Sequence, residues 1–236
     1  IRQSLHAMRG VPTNGDGFGL GWYSERPEPG VYREIRPAWS DENLLSIARQ
    51  VRSHLFFAHV RAATGTASTR ANCHPFAHGR HMFMHNGQIG GYLAIKRRLE
   101  ALIPDDLYHA RDGNTDSEAL FLLVLAYLNQ GLAPHQAFTQ ALGDARRLST
   151  EAGQADPIRF AAVLTDGDAI HAVRWSSDAA PPTLYVCERD GAVVVASEPV
   201  DANRECWKLA APNSFITVAG GKVTSQPLMV GISEAD

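Results

Sequence analysis

The sequence predicts an α+β fold built mainly on antiparallel sheets. Short apolar strands come first, a run of helices follows, and the residues after Asp156-Pro157 change to a meander of short strands. Two tight-turn signals within that meander, Asp166-Gly-Asp168 and Arg189-Asp-Gly191, are typical of β-hairpins. Because no long linker rich in Gly, Pro or Ser separates the meander from the rest, we expect residues 1–236 to form a single domain.

The first strand is predicted from glycine spacing. Glycines at positions 15, 17, 19 and 21 alternate, so an extended chain places them on one face, where another backbone or a ligand can approach closely. Ser40 is the expected N-cap of the first helix, which presents apolar residues from Leu44 to Val51 at helical spacing.

The remaining elements follow from apolar runs and end signals. A capping box from Thr115 to Glu118 opens an apolar helix that ends before Gly131, and Pro134 begins the next helix. The predicted helices cover 92–103, 115–130 and 134–148, and the predicted strands cover 55–60, 81–84, 160–164, 169–175, 183–187, 192–196, 215–218 and 223–228.

Composition excludes several classes of function. The 236 residues are 44% hydrophobic, and 22 basic against 25 acidic residues leave a net charge of −3, which is typical of a globular protein and not of a nucleic-acid binder. The longest apolar run, 119–128, is too short to span a bilayer. We therefore expect neither nucleic acid nor membrane as a partner.

Cysteine is sparse, with Cys73, Cys187 and Cys206 at wide spacing and no C-x-x-C pair. An odd, scattered set does not indicate a disulfide framework. We expect free thiols in ordinary packing and a reducing compartment, the cytoplasm.

Common cofactor and metal motifs fit poorly. Neither a dinucleotide-binding nor a P-loop pattern is matched, a G-x-S-x-G elbow is absent, and we expect no cofactor. His74, His78, His81 and His85 have gaps of four, three and four, which on a helix would suit zinc. Pro75 opposes a helix there, so polar or site-lining histidines are favoured, and a zinc-dependent hydrolase remains an alternative.

Three other segments fit together chemically. Arg61 ends an apolar strand, where a guanidinium can grip a carboxylate through two parallel hydrogen bonds. Asn86 and Gly87 offer an amide and an unshielded N–H, the donors of an oxyanion hole. Asp116 lies in a first helical turn and could accept from an ammonium group. The set suits an α-amino acid with a reactive carbonyl at its far end.

These segments, in this order, resemble the class II glutamine amidotransferases, and more narrowly their free-standing branch, which includes the γ-glutamyl hydrolases of ergothioneine synthesis and glutathione breakdown. The motifs that carry the resemblance are Asn14-Gly-Asp-Gly-Phe-Gly-Leu-Gly-Trp22, Asn72-Cys-His-Pro-Phe76, His85-Asn-Gly87, Asn114-Thr-Asp-Ser-Glu118 and Ser197-Glu-Pro199. The family belongs to the N-terminal-nucleophile hydrolases, so the resemblance implies a four-layer αββα sandwich.

The resemblance also implies roles for individual residues. The γ-amide of the substrate would be attacked in an oxyanion hole made by the Asn86 side chain and the Gly87 N–H. The substrate-binding residues implied are Arg61 for the α-carboxylate, Asp116 for the α-amino group, and Thr64 and His85, with Asp16 and Gly19 in the loop on the nucleophile side.

The family's nucleophile is a cysteine that becomes the first residue after Met removal, with its own α-amine as base, since a free α-amine has a pKa near 7.7–8.0. The stretch Ile1-Arg-Gln-Ser-Leu5 resembles a segment downstream of that cysteine. We therefore expect the nucleophile strand upstream of Ile1. Cys73 lies mid-chain without an α-amine and is expected to be a loop thiol.

The sequence thus predicts an amidohydrolase acting on glutamine or a γ-glutamyl compound through an N-terminal cysteine thioester. The alternative from a different class is a non-catalytic module that binds glutamate or a γ-glutamyl compound. No synthase domain is recognisable in the 236 residues, which favours a γ-glutamyl hydrolase over an ammonia donor. A separate ammonia-accepting enzyme and a homodimer are left open as partners.

Overall fold

The computed structural model describes residues 14–62, 68–201 and 205–231. Five strands and one α-helix come first, four consecutive helices follow from residue 92 to residue 151, and strands dominate after residue 157, as the α+β prediction requires. The helices are α1 Glu42–Gln50, α2 Tyr92–Glu100, α3 Asp105–Tyr108, α4 Asp116–Asn129 and α5 Pro134–Glu151. The strands are β1 Phe18–Trp22, β2 Gly30–Glu34, β3 Phe56–Val60, β4 Phe76–His78, β5 His81–Ile89, β6 Ile158–Thr165, β7 Ala169–Ser176, β8 Tyr185–Arg189, β9 Ala192–Ala196, β10 Lys208–Leu209, β11 Ser214–Ala219 and β12 Lys222–Pro227.

The strands form three sheets with the orders β2-β1-β3, β10-β8-β9 and β12-β11-β7-β6-β5-β4. Every pairing whose register is described is antiparallel, as predicted. The chain divides into two compact units. The first holds 1–84, 112–115 and 164–167, and the second holds 85–111, 116–163 and 168–236.

In the first unit, the glycine-rich strand β1 lies between β2 and β3. A β-carbon on Gly19 would collide with the backbone carbonyl of His74, and one on Gly21 would lie 2.9 Å from the Pro75 ring. The predicted close approach at the glycine face is therefore confirmed, because the His74 backbone approaches Gly19, and the Met82 sulfur and the Pro75 ring approach Gly21.

Helix α1 differs from the prediction. Asp41, and not Ser40, is the N-cap, and its Oδ1 accepts from the Leu44 N–H at 2.8 Å. None of the nine residues of α1, all of them described, is buried. Strand β3 is only partly buried although its sequence is apolar, because Phe56 is 69% exposed while Phe57 is buried. Alternation along an edge strand exposes every second side chain, which an apolar run cannot reveal.

In the second unit, α4 packs against α2, α3 and α5. It is apolar on every side, and its residues 117–126 are all buried, as a fully enclosed core helix requires. The helix predicted over 92–103 ends at Glu100, and α3 follows Pro104. In the part of the chain that the structure describes, no helix has the length and apolarity needed to cross a bilayer.

The meander carries both predicted hairpins. Gly167, Asp190 and Gly191 have positive φ, as tight turns between antiparallel strands demand. Strand β5 runs on to Ile89, five residues beyond its predicted end.

The prediction of three free thiols was wrong, because Cys187 and Cys206 form a disulfide. Strand β10 pairs with β8, with Lys208 opposite Val186, so the segment before β10 comes beside Cys187. The two α-carbons are 4.9 Å apart, within the usual range for a disulfide. The two cysteines are 19 positions apart in the sequence, and this spacing alone does not predict their pairing.

We expect Gly19→Ala to lower the free energy of unfolding by about 1–3 kcal/mol, since the new methyl group forces the His74 backbone to move. Denaturant unfolding measures the change. Gly143→Ala is the matched control, because a β-carbon there makes only an ordinary 3.5 Å contact. Gly143 lies in α5, where alanine has a helix propensity more favourable than that of glycine by up to about 1 kcal/mol. Equal effects of the two substitutions would contradict the close packing at Gly19.

Candidate functional site

Asp116 is the first residue of α4, and its carboxylate accepts hydrogen bonds from backbone and side-chain donors. Its Oδ2 accepts from the Ile89 N–H at 2.8 Å, and its Oδ1 accepts from the Ser117 N–H at 2.8 Å and the Ser117 hydroxyl at 3.3 Å. The N-terminus of a helix also favours a negative charge. A carboxylate offers about four lone-pair directions, so these three donors leave room for one more, such as an ammonium group.

The neighbouring strand β5 presents the predicted oxyanion donors. His85 is buried, whereas Asn86 and Gly87 are exposed. Gly87 has a φ of +143°, and a β-carbon on it would collide with the carbonyl of Arg159. Only glycine is tolerated there, and its backbone N–H is not shielded by a side chain.

His85 lies beneath this exposed stretch. Its Nδ1 is 2.8 Å from the Ser117 hydroxyl, and its ring lies 4.5 Å from the ring of Phe160, centroid to centroid. Burial lowers the pKa of His85, and the nearby charge of Asp116 offsets only part of that effect. The imidazole is therefore neutral at neutral pH. The structure thus brings Asp116, His85 and the Asn86-Gly87 stretch together in the second unit.

In the first unit, the structure joins Arg61 to Asp16. The Arg61 N–H donates to the Gly17 carbonyl at 2.8 Å, and the Asp16 N–H donates to the Arg61 carbonyl at 3.1 Å. The guanidinium is buried and donates to the Asp16 carbonyl at 3.3 Å and to the Ser68 hydroxyl at 3.4 Å. Gly19 lies within β1, and Thr64 is outside the described residues.

Two of the sequence motifs are linked by a reciprocal pair that sequence reasoning missed. The Asn72 amide donates to Asn114 Oδ1 at 3.0 Å, and the Asn114 N–H donates to Asn72 Oδ1 at 3.1 Å. Asn72 is 2% exposed. The signal was present, because each residue opens one of the quoted motifs, but nothing in the spacing pairs them.

The four histidines considered for zinc lie in three different surroundings. His74 stacks near His59 with centroids 4.3 Å apart, His78 pairs with His81 in the β4–β5 register, and His85 bonds Ser117. Across residues 14–62, 68–201 and 205–231, no group of three or more His, Cys, Asp or Glu side chains is arranged to hold a metal ion.

Cys73 is fully buried beside β2. Its thiol lies 3.5 Å from the Thr69 carbonyl and 3.6 Å from the Glu34 carbonyl, to which it can donate. Burial raises the pKa of Cys73 more than the nearby Arg61 and Arg33 charges lower it. The group is a thiol and not a thiolate at neutral pH, which disfavours it as a nucleophile.

A family model described as "Glutamine amidotransferases class-II" matches residues 3–181. The probable glutamine amidotransferase DUG3 of Saccharomyces cerevisiae is 31% identical, over 95% of this chain and 75% of that protein. The gamma-glutamyl-hercynylcysteine sulfoxide hydrolase of Mycolicibacterium smegmatis is 26% identical, over 96% of this chain and 86% of that protein.

One solved structure has the same fold at higher identity. A glutamine aminotransferase class-II domain protein from Silicibacter pomeroyi superposes with a TM-score of 0.80 at 38% identity. The match covers 89% of this chain and 91% of that chain, so it includes both compact units.

We expect Asn72→Ala to speed hydrogen exchange at the Asn114 amide by about tenfold or more, because that N–H loses its acceptor. Exchange followed by NMR measures the effect. Asn129→Ala, at the exposed end of α4, is the control and should leave residue 114 unchanged. Unaltered exchange at residue 114 in Asn72→Ala would show that the reciprocal pair does not hold this segment.

Proposed function

The chain belongs to the class II glutamine amidotransferases, and on that membership we propose that it is an amidohydrolase that cleaves the γ-amide bond of glutamine or of a γ-glutamyl compound. The N-terminal-nucleophile hydrolase fold comes with this membership and is confirmed by the solved relative. The sulfoxide hydrolase among the relatives supports a γ-glutamyl substrate. The relatives are named as enzymes, so the non-catalytic binding module is not favoured.

The observation that carries the proposal is the Asp116 carboxylate held on the Ile89 N–H, at the end of the strand that presents Asn86 and Gly87. We assign Asp116 to the α-ammonium group of the glutamyl moiety. The Asn86 amide and the Gly87 N–H are assigned to the oxyanion. A γ-glutamyl group needs both an ammonium acceptor and a carbonyl polariser, and this strand end supplies both types of group.

We assign Arg61 to the substrate α-carboxylate. A guanidinium can bind a carboxylate through two parallel hydrogen bonds, and burial strengthens such a charged contact. Thr64 keeps its proposed place in substrate binding, and Asp16 and Gly19 keep theirs beside the nucleophile. We propose that His85 serves substrate binding through its bond to Ser117.

The proposed chemistry is acyl transfer through a thioester. An N-terminal cysteine, which is not among the 236 residues, attacks the γ-carbonyl while its own α-amine takes the thiol proton. The C–N bond breaks, the protonated amine or ammonia leaves, and water then cleaves the thioester to give glutamate. Through both steps the described residues bind the glutamyl group and stabilise the oxyanion.

We further propose that residues 1–236 act as one domain, and we leave open a separate ammonia-accepting enzyme and a homodimer as partners.

The cytoplasm is the proposed compartment on the ground of sparse cysteine usage. The Cys187–Cys206 disulfide is the observation against it, because glutathione keeps most cytoplasmic thiols reduced. Alkylation during cell lysis should recover both cysteines as thiols, and recovery as a disulfide would indicate an oxidising compartment.

The decisive experiment uses the native protein with its N-terminal cysteine verified by intact mass. It should release glutamate from L-glutamine or from a γ-glutamyl peptide, and a glutamine-like electrophile should label its first residue. No turnover of any γ-glutamyl amide together with no labelling would overturn the proposal.

We expect Arg61→Lys to reduce kcat/KM for glutamine about 10- to 100-fold, mainly through KM, because lysine cannot reproduce the paired bonds to a carboxylate. Steady-state kinetics measure the change, with thermal unfolding as a check on folding. Arg189→Lys is the matched control, since Arg189 pairs with Asp201 on the surface. Loss of kcat with an unaltered KM in Arg61→Lys would argue against carboxylate binding by this residue.

A further inference from the structure

Helix α4 and strand β5 are joined by two hydrogen bonds that bracket the exposed Asn86-Gly87 stretch. On one side of it, His85 Nδ1 is 2.8 Å from the Ser117 hydroxyl. On the other side, the Ile89 N–H donates to Asp116 at 2.8 Å. The first two residues of α4 therefore hold β5 at residues 85 and 89, and the exposed residues lie between these fixed points.

The two attachments are themselves connected. The Ser117 hydroxyl is 3.3 Å from Asp116 Oδ1, and an ionised carboxylate can only accept, so the hydroxyl donates to Asp116. With that hydrogen used, the Ser117 oxygen accepts from a proton on His85 Nδ1, the tautomer that this arrangement requires. The resulting hydrogen-bond chain runs from the His85 ring through the Ser117 hydroxyl to the Asp116 carboxylate.

The other edge of the imidazole faces the oxyanion stretch. A β-carbon on Gly87 would lie 2.9 Å from His85 Nε2, so the ring supports the Gly87 backbone from beneath. His85 and Ser117 are 4% and 6% exposed, and the His85 Nδ1 contacts the Ser117 hydroxyl. Their contacts are with the groups to which we assign the substrate.

We infer that Ser117 and His85 are positioning residues that fix the spacing between the ammonium acceptor, Asp116, and the oxyanion donors at Asn86 and Gly87. This inference rests on the proposed function for the roles of those three residues. A γ-glutamyl group can span only a limited distance between its α-amine and its γ-carbonyl, because three carbon atoms join them. Holding acceptor and donors at the matching distance before binding removes the need to order them during reaction.

The first test detects the hydrogen bonds among His85, Ser117 and Asp116 and does not depend on enzymatic turnover. Long-range ¹H–¹⁵N NMR at neutral pH reports which ring nitrogen of His85 is protonated. The His85 signal is assigned as the one that disappears in the His85→Asn variant. We expect a neutral ring with its proton on Nδ1, and Ser117→Ala should change that pattern. A proton on Nε2, directed at the neighbouring Arg159 carbonyl, would mean that Ser117 donates to His85, and would overturn the inference.

The second test separates positioning from mere packing. In the native enzyme we expect Ser117→Ala to lower kcat and raise KM for the same γ-glutamyl amide, with kcat/KM reduced about 10- to 100-fold. His85→Asn places an amide N–H near the position of Nδ1 and should retain most of kcat, whereas His85→Phe should not. Thermal unfolding identifies any variant that fails to fold.

Ser149→Ala is the matched control. Ser149 is also helical and 6% exposed, and its hydroxyl makes no hydrogen bond within the described residues, so this variant should keep wild-type kinetics. The inference fails if Ser117→Ala behaves like Ser149→Ala, or if His85→Asn is as impaired as His85→Phe. If the wild-type protein cleaves no γ-glutamyl amide, the proposed function fails. The NMR result then decides by itself whether the hydrogen bonds from His85 through Ser117 to Asp116 exist.

Discussion

The bond from the Ile89 N–H to the Asp116 carboxylate is the constraint on which the arrangement of the candidate residues in the second unit depends. It joins the first residue of a core helix to the end of the strand that presents Asn86 and Gly87. Helix α4 is buried over residues 117–126, so it cannot shift without disturbing the core. Three donors, two backbone N–H groups and the Ser117 hydroxyl, fix the position of the carboxylate. The carboxylate that we assign to the substrate ammonium group is thus placed by the packing of an apolar helix.

Close approach of backbone is the second recurring device. Gly19 admits the carbonyl of His74, and Gly87 admits the carbonyl of Arg159 while its φ of +143° suits no other residue. In both places a side chain is omitted so that main-chain groups can meet or remain exposed. The glycines of the sequence motifs are therefore packing requirements as well as chemical ones.

Sequence reasoning succeeded where local pattern and chemistry agree. The apolar run of α4, the hairpin turns at Gly167 and Gly191 and the alternating glycines of β1 all appear as expected. It failed where the outcome depends on partners distant in the chain. The disulfide between Cys187 and Cys206 needs β10 beside β8, and the exposure of α1 depends on what packs against it. Spacing contains neither kind of information.

The sequence by itself determined the fold class and which residue types could bind a glutamyl group, because strand and helix periodicity and short motifs are local properties. It named Asp116, Asn86 and Gly87 as single candidates with separate chemical reasons. Only the tertiary structure decided that the Ser117 hydroxyl lies between Asp116 and His85, and that Asn72 pairs with Asn114. A hydrogen bond requires two groups within about 3 Å, and the folding of the whole chain sets that distance.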